Sequence, residues 1–205
     1  MLEVARVPAR QGQARRRGRD RPDGDRRLRG LSAPRGFRLR DGRDDDPAPL
    51  CALEARADHL FRTVGIPLPP DGALPPEEPL RRALADGLLL VAEVEDGRTA
   101  GFVAAAPLDA ALHVFTIAVD PAHMRRGLGR ALMTAALEHA AWAFWPAVTL
   151  TTFRDVPWNA PFYRSLGFLA ADDALLAPGL AGVRARERAI GLDALGPRLA
   201  MARLL

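Results

Sequence analysis

Two clusters in this chain have residue types and spacing suited to chemistry, one as a glycine turn fit for a phosphate-bearing ligand and one as a segment that presents a tyrosine hydroxyl. The first is Arg125-Arg126-Gly127-Leu128-Gly129-Arg130-Ala131. The second runs from Asn159 through Phe162 and Tyr163 to Gly167-Phe168. Glycines let a ligand approach the backbone closely. Where such a cluster opens a helix, the first-turn N–H groups have no backbone partner and the dipole adds partial positive charge. An anion can then be held by main chain rather than by side chains. The plain alternative is a corner whose glycines only turn the chain. Two other nucleotide motifs are excluded: a dinucleotide fingerprint needs a third glycine where Leu132 stands, and a Walker loop needs a lysine, which this chain lacks.

The flanking sequence supplies elements that would position both clusters. Val114 to Val119 is an apolar, β-branched run of strand length, closed by the turn signal Asp120-Pro121. Leu128, Leu132, Ala135, Ala136 and His139 recur at helical spacing until Pro146. Ala147 to Phe153 alternates as a second strand. Asn159 suits an N-cap, Pro161 a first turn and Gly167 a stop, which predicts a helix of about two turns presenting Tyr163.

Taken together, these residues resemble the GCN5-related N-acetyltransferase (GNAT) superfamily. Arg126, Gly129 and Ala131 match its coenzyme A pyrophosphate loop. Asn159-Ala160, Tyr163 and Gly167-Phe168 match its second hallmark, and Ile117-Ala118-Val119-Asp120-Pro121 looks like the strand end of its ribosomal-protein alanine acetyltransferases. The resemblance covers about residues 36–204. It implies an α/β (α+β) fold, a mixed, mostly antiparallel sheet flanked by helices in one domain over 35–205. The implied activity is a bacterial-type N-acyltransferase (EC 2.3.1.-) that uses acetyl-CoA as cosubstrate and a primary amine as acceptor, by direct attack and without a metal.

By the same resemblance, Ile117, Val119, Arg125, Arg126, Gly127, Leu128, Gly129, Arg130, Ala131, Asn159, Phe162 and Tyr163 contact the cofactor. The Val119 N–H supplies an oxyanion donor. Tyr163, the chain's one tyrosine, is the general acid through an exposed hydroxyl near the sulfur. Many relatives place a glutamate on the central strand where this chain reads His113, Phe115 and Thr116. His113 is then a candidate base, with Asp155, Glu93 or a water chain equally open.

Composition narrows the field further. Only two serines occur, Ser32 and Ser165, and neither lies in a nucleophile elbow. No Cys–His cluster has metal spacing, and the absence of lysine excludes a Schiff base. The single cysteine, Cys51, reads as core filler and forbids an internal disulfide, which favours a cytoplasmic setting. The net charge of +4 is unevenly placed: residues 1–40 hold 13 arginines against 4 acids, and the remainder 16 against 21. Residues 1–34 therefore read as a disordered Arg-rich tail.

In the rest of the chain, Gly36 to Arg40 is expected as a strand, Asp44-Asp45-Asp46 as a solvated cap, and Leu50 to Phe61 as a helix. A Pro-rich loop over Ile66 to Pro76 and a short helix over Leu80 to Leu84 follow. Asp96-Gly97 joins two strands as a hairpin. A helix from Pro178 to Gly191 and a closing strand from Arg198 to Leu204 complete the domain. The expected partners are acetyl-CoA and an amine, with no membrane or nucleic acid, in a monomer or homodimer. Two rival functions stay open: a non-catalytic acyl-CoA-binding module, and a nucleic-acid-binding protein acting through its tail.

Overall fold

The computed structural model of the chain describes residues 33–68 and 74–205. The Arg-rich segment 1–32 and the centre of the Pro-rich loop, 69–73, lie outside the described residues. Strand β1 (Phe37–Asp41) leads into helix α1 (Pro47–Asp58), a 3-10 turn over His59–Val64, and helix α2 (Glu78–Asp86). Strands β2 (Leu88–Val94), β3 (Thr99–Leu108) and β4 (Ala111–Val119) follow, then helix α3 (Leu128–Trp142) and strand β5 (Ala147–Phe153). Helix α4 (Ala160–Arg164), the short strand β6 (Leu169–Ala170), helices α5 (Pro178–Ala189) and α6 (Leu192–Leu195), and strand β7 (Arg198–Leu204) close the chain.

The strands form one sheet in the order β1-β2-β3-β4-β5-β7-β6, antiparallel except for the parallel pair β4–β5. Helices cover both faces, which is why β2 and β3 are almost continuously apolar instead of alternating. On one face α3 sets Leu128, Leu132, Met133, Ala136 and Ala140 against Val103, Val114, Val148 and Met201. On the other, Leu50, Leu53, Leu80 and Ala83 of α1 and α2 pack on Phe102 and Ala118. Cys51 is buried in that second layer, as expected of core filler.

Two irregularities of β4 shape the molecule. Ala104 pairs with Thr116 while Ala105 pairs with Val114, so Phe115 is a bulged residue without a partner on β3. A bulge bends its strand and increases the local twist. Pairing of β4 with β5 is confined to Leu112–Val148, His113–Thr149 and Val114–Leu150, and it ends where the bulge begins. Beyond that point the two parallel strands part, leaving the β5-facing edge of Ile117 to Val119 without a strand partner.

The solvated cap expected at Asp46 does not form. Asp46 occupies the position before α1 but makes no side-chain cap bond, and it is buried rather than solvated. Its carboxylate accepts two hydrogen bonds from Arg40, at 2.6 and 2.7 Å, and one from the Arg43 N–H. Arg40 also donates to Glu93, which is buried and accepts from Arg38 as well. Strand pairing decides this, since it lays β1 on β2 and thereby brings Arg38 and Arg40 beside Glu93.

Candidate active site

The gap between β4 and β5 opens into a cavity of about 660 Å³. One wall is the unpaired end of β4, with Ile117, Ala118 and Val119. The Asp120 N–H donates to Ala100 O on β3. Because N–H direction alternates along a strand, the N–H groups of Val119 and Ile117 point to the opposite, open edge. A second wall is the turn into α3, with Arg125, Gly127, Leu128, Gly129 and Arg130. There Gly127 takes φ +81°, which a side chain would disfavour. The first bond of α3 is Ala131 N–H to Gly127 O, so the preceding N–H groups are not satisfied within the helix. Gly129 has ordinary helical space: a Cβ there would meet Val119 Cγ2 at 3.8 Å and Phe162 Cζ at 3.9 Å. Its side-chain vector thus lies between two cavity-lining residues, and bulk there enters the cavity.

Of the residues expected to contact a cofactor, all but Arg126 and Ala131 line this cavity. The Arg126 guanidinium instead lies 5.9 Å from the centre of the Phe37 ring. Arg130 donates to Ser165 Oγ, tying α3 to the end of α4. Asn159 sits before α4 and its C=O accepts from Tyr163 N–H, yet its side chain makes no cap bond, contrary to expectation. The amide therefore keeps its hydrogen-bonding capacity for the cavity. Helix α4 is shorter than expected at 5 residues.

Tyr163 lines the cavity, but it is buried rather than exposed, packed edge-on against Phe162 and Phe168. Burial pushes its pKa up to about 12. The phenol therefore stays protonated through the neutral range.

None of the residues considered as a base reaches this cavity. His113 is buried near the paired end of β4, with Nδ1 3.0 Å from Thr149 Oγ1. Burial lowers its pKa to about 4, so it is neutral and weakly basic. Glu93 is held below the usual carboxylate range by Arg40 and Arg38, against the opposing effect of burial. Asp155 is exposed and paired with Arg154.

The carboxylate that does line the cavity is Asp58, at the end of α1. It is half-buried and makes no hydrogen bond or ion pair among the described residues. Burial raises its pKa to about 7, and the neighbouring negative charge of Glu54 adds to the rise. Glu54, one turn earlier, is also raised by burial and accepts from Thr116 Oγ1 at 2.6 Å. The four-residue spacing of Glu54 and Asp58 was available in the sequence and places both on one helix face. Nothing in it said that this face meets β4 at the bulge. Ala57, Leu60, Phe61, Met124 and Trp158 were likewise not anticipated as lining residues.

The family described as acetyltransferase (GNAT) domain matches residues 85–169, a span that contains both the α3 turn and the Asn159–Phe168 segment. Over those residues the chain matches the GNAT domain, and its fold is the GNAT fold. Solved structures share the fold of this GNAT domain at low sequence identity. The Escherichia coli ribosomal-protein-S18-alanine N-acetyltransferase is 18% identical with a TM-score of 0.56, over 82% of this chain and 93% of that one. Arabidopsis thaliana Naa50, solved with a bisubstrate analogue CoA-Ac-MVNAL, is 14% identical with a TM-score of 0.56, over 83% and 99%. The PaiA N-acetyltransferase of Thermoplasma acidophilum, solved with coenzyme A, is 15% identical with a TM-score of 0.57, over 82% and 99%. The GNAT fold places the bulged strand, the parted parallel pair and the glycine turn around one cavity.

Proposed function

We propose that the chain is an N-acyltransferase that moves the acetyl group of acetyl-CoA to a primary amine by direct attack. The observation that carries this reading is the juxtaposition of a strand edge left unpaired by the β4–β5 gap with the unsatisfied first turn of α3. The α3 turn suits a pyrophosphate, and Arg125 and Arg130 add positive charge on the same wall. The outward N–H of Val119 suits the carbonyl oxygen as it gains negative charge. Tyr163, protonated and in the same cavity, suits protonation of the departing sulfur. No covalent enzyme intermediate is needed, in keeping with the lack of a lysine, cysteine or serine nucleophile at the cavity. The coenzyme A structures among the relatives support this choice of cosubstrate.

The test is ligand-induced stabilisation together with coenzyme A release over a panel of primary amines. Acetyl-CoA at about 100 times its dissociation constant stabilises the wild-type protein by about 2.7 kcal/mol through mass action. Gly129→Val, whose side chain enters the cavity between Val119 and Phe162, loses most of that shift while its melting curve without ligand stays cooperative. A folded Gly129→Val protein with the full shift removes the cofactor from this turn. Stabilisation of the wild type without release from any amine identifies a binding module instead.

A further inference from the structure

An unpartnered carboxylate sits beside an apolar wall in this cavity, and the steps assigned above do not use it. Asp58 lines the space together with Ala57, Leu60, Phe61 and Trp158, on the side formed by α1 and its 3-10 extension. Phe61 packs against Trp158 with ring centroids 6.0 Å apart and against Phe153 at 5.6 Å, so this aromatic wall is fixed. The anion-suited turn of α3 belongs to a different wall. A single acid on an apolar wall is matched by a ligand with one positive charge and an apolar body.

We propose that the acceptor is a primary amine with an apolar or aromatic substituent, which enters as its ammonium ion with nitrogen on the Asp58 carboxylate and its apolar part against Leu60, Phe61 and Trp158. This rests on the acyltransferase reading. Asp58 then also serves as the base. It takes one proton from the ammonium, and the freed nitrogen lone pair forms the C–N bond to the thioester carbonyl carbon. As the C–S bond breaks, its electron pair leaves on sulfur. Tyr163 protonates that sulfur, the second proton lost by nitrogen restores the Tyr163 phenol, and the first is released from Asp58 to solvent. The products are the amide, free coenzyme A and one proton.

The charged surroundings support this role. On its own segment Asp58 has Glu54 and His59 as neighbours; Arg125 and Arg130 of the α3 turn and Tyr163 of α4 line other walls of the same cavity, and neither arginine acts on Asp58. Burial and Glu54 favour the protonated form of Asp58, and His59 opposes them weakly. An ionised Asp58 is therefore short of positive charge, a shortage that an incoming ammonium relieves. Glu54, fixed by Thr116 at the edge of the bulge, acts as a positioning residue that raises the proton affinity of Asp58.

Phenethylamine and 2-phenylethanol, alike in shape but not in charge, separate the two requirements. Thermal shifts are read at pH 8 on the full chain, with and without saturating coenzyme A. Phenethylamine raises Tm in the wild type and 2-phenylethanol does not; Asp58→Asn, checked for a normal melting curve, abolishes the difference. In turnover with acetyl-CoA, Asp58→Asn lowers kcat/KM for phenethylamine by roughly 10²-fold. It also removes the inflection near pH 7 and leaves acetyl-CoA affinity within about twofold. Glu54→Gln moves that inflection to lower pH, which a merely structural contact would not do.

Equal shifts from amine and alcohol, no shift from the amine, or an unchanged inflection in Asp58→Asn each overturn the proposal. Failure of the wild type to bind acetyl-CoA overturns the acyltransferase reading separately, because the amine–alcohol comparison without coenzyme A reads Asp58 alone.

Discussion

At the scale of single residues, burial sets the protonation states in and near the site. Tyr163 has a pKa pushed up by desolvation, so it holds its proton at any working pH, and its loss removes a donor rather than a charge. Tyr163→Phe keeps the ring packed against Phe162 and Phe168. It should lower turnover by roughly 10²-fold with little change in acetyl-CoA affinity, as read by single-turnover kinetics beside a thermal shift. His113 behaves in the opposite way. Its folded pKa lies near 4, below the unfolded value near 6.5, so the unfolded state binds the extra proton. Stability is therefore lost as pH falls from about 6.5 towards 4. His113→Gln should flatten that part of the stability–pH curve measured by urea melts, and leave the pH–rate profile where it was. A displaced profile would return His113 to the chemistry.

Among the elements, β4 carries most of the design. Its bulge at Phe115 ends the pairing with β5 and turns one strand edge into a cavity wall. Such an opening is stable only if the strands on its other side are firmly held, and the β1–β2 edge shows how. Arg40, Asp46 and Glu93 are largely buried and mutually bonded, which holds both carboxylates below their usual range. Removing one member leaves uncompensated buried charge, the costly case for ion pairs. Arg40→Ala should therefore destabilise the protein by about 3 kcal/mol in chemical denaturation. The contribution of the two acids is present above their unfolded pKa values and fades as pH falls through the lower folded ones. Arg40→Ala should accordingly cost less once pH has fallen through the folded-state values of the two acids than at pH 7, and a cost that did not fall with pH would mean that the lost contacts are only packing.

For the whole molecule, the cavity is assembled from four segments, around residues 57–61, 117–119, 124–130 and 158–163, brought together by the sheet. The core residues seen on both faces all come from the segment after Pro34. Removal of residues 1–32 should therefore leave Tm and acetyl-CoA affinity unchanged, which a melting curve of the shortened chain with and without ligand checks. A clear drop in Tm would give the Arg-rich segment a structural role. Nucleic-acid binding that vanished with it and weakened steeply with salt would give it a separate one.

The sequence by itself determined the order of strands and helices apart from the short β6 and α6, the glycine turn opening α3, and the Asn159–Phe168 segment. These depend on local chemistry: apolar periodicity, a positive φ at Gly127, and stop signals near Pro146 and Gly167. It also marked Tyr163, because a distinctive spacing carried it. Which carboxylate reaches the cavity was decided by the tertiary structure alone. Glu93, His113 and Asp155 have the right chemistry, but the sheet puts them at its far edge, at the paired end of β4, and on the surface. Asp58 has no local signature, since an acid on an amphipathic helix ordinarily faces water. Its proton affinity comes from burial and from Glu54, which α1 sets beside Thr116 at the bulge of β4. The interior position of Asp46, read locally as a cap, follows equally from the pairing of β1 with β2. Desolvation and charge neighbours are properties of distant segments in contact, and a linear pattern carries neither.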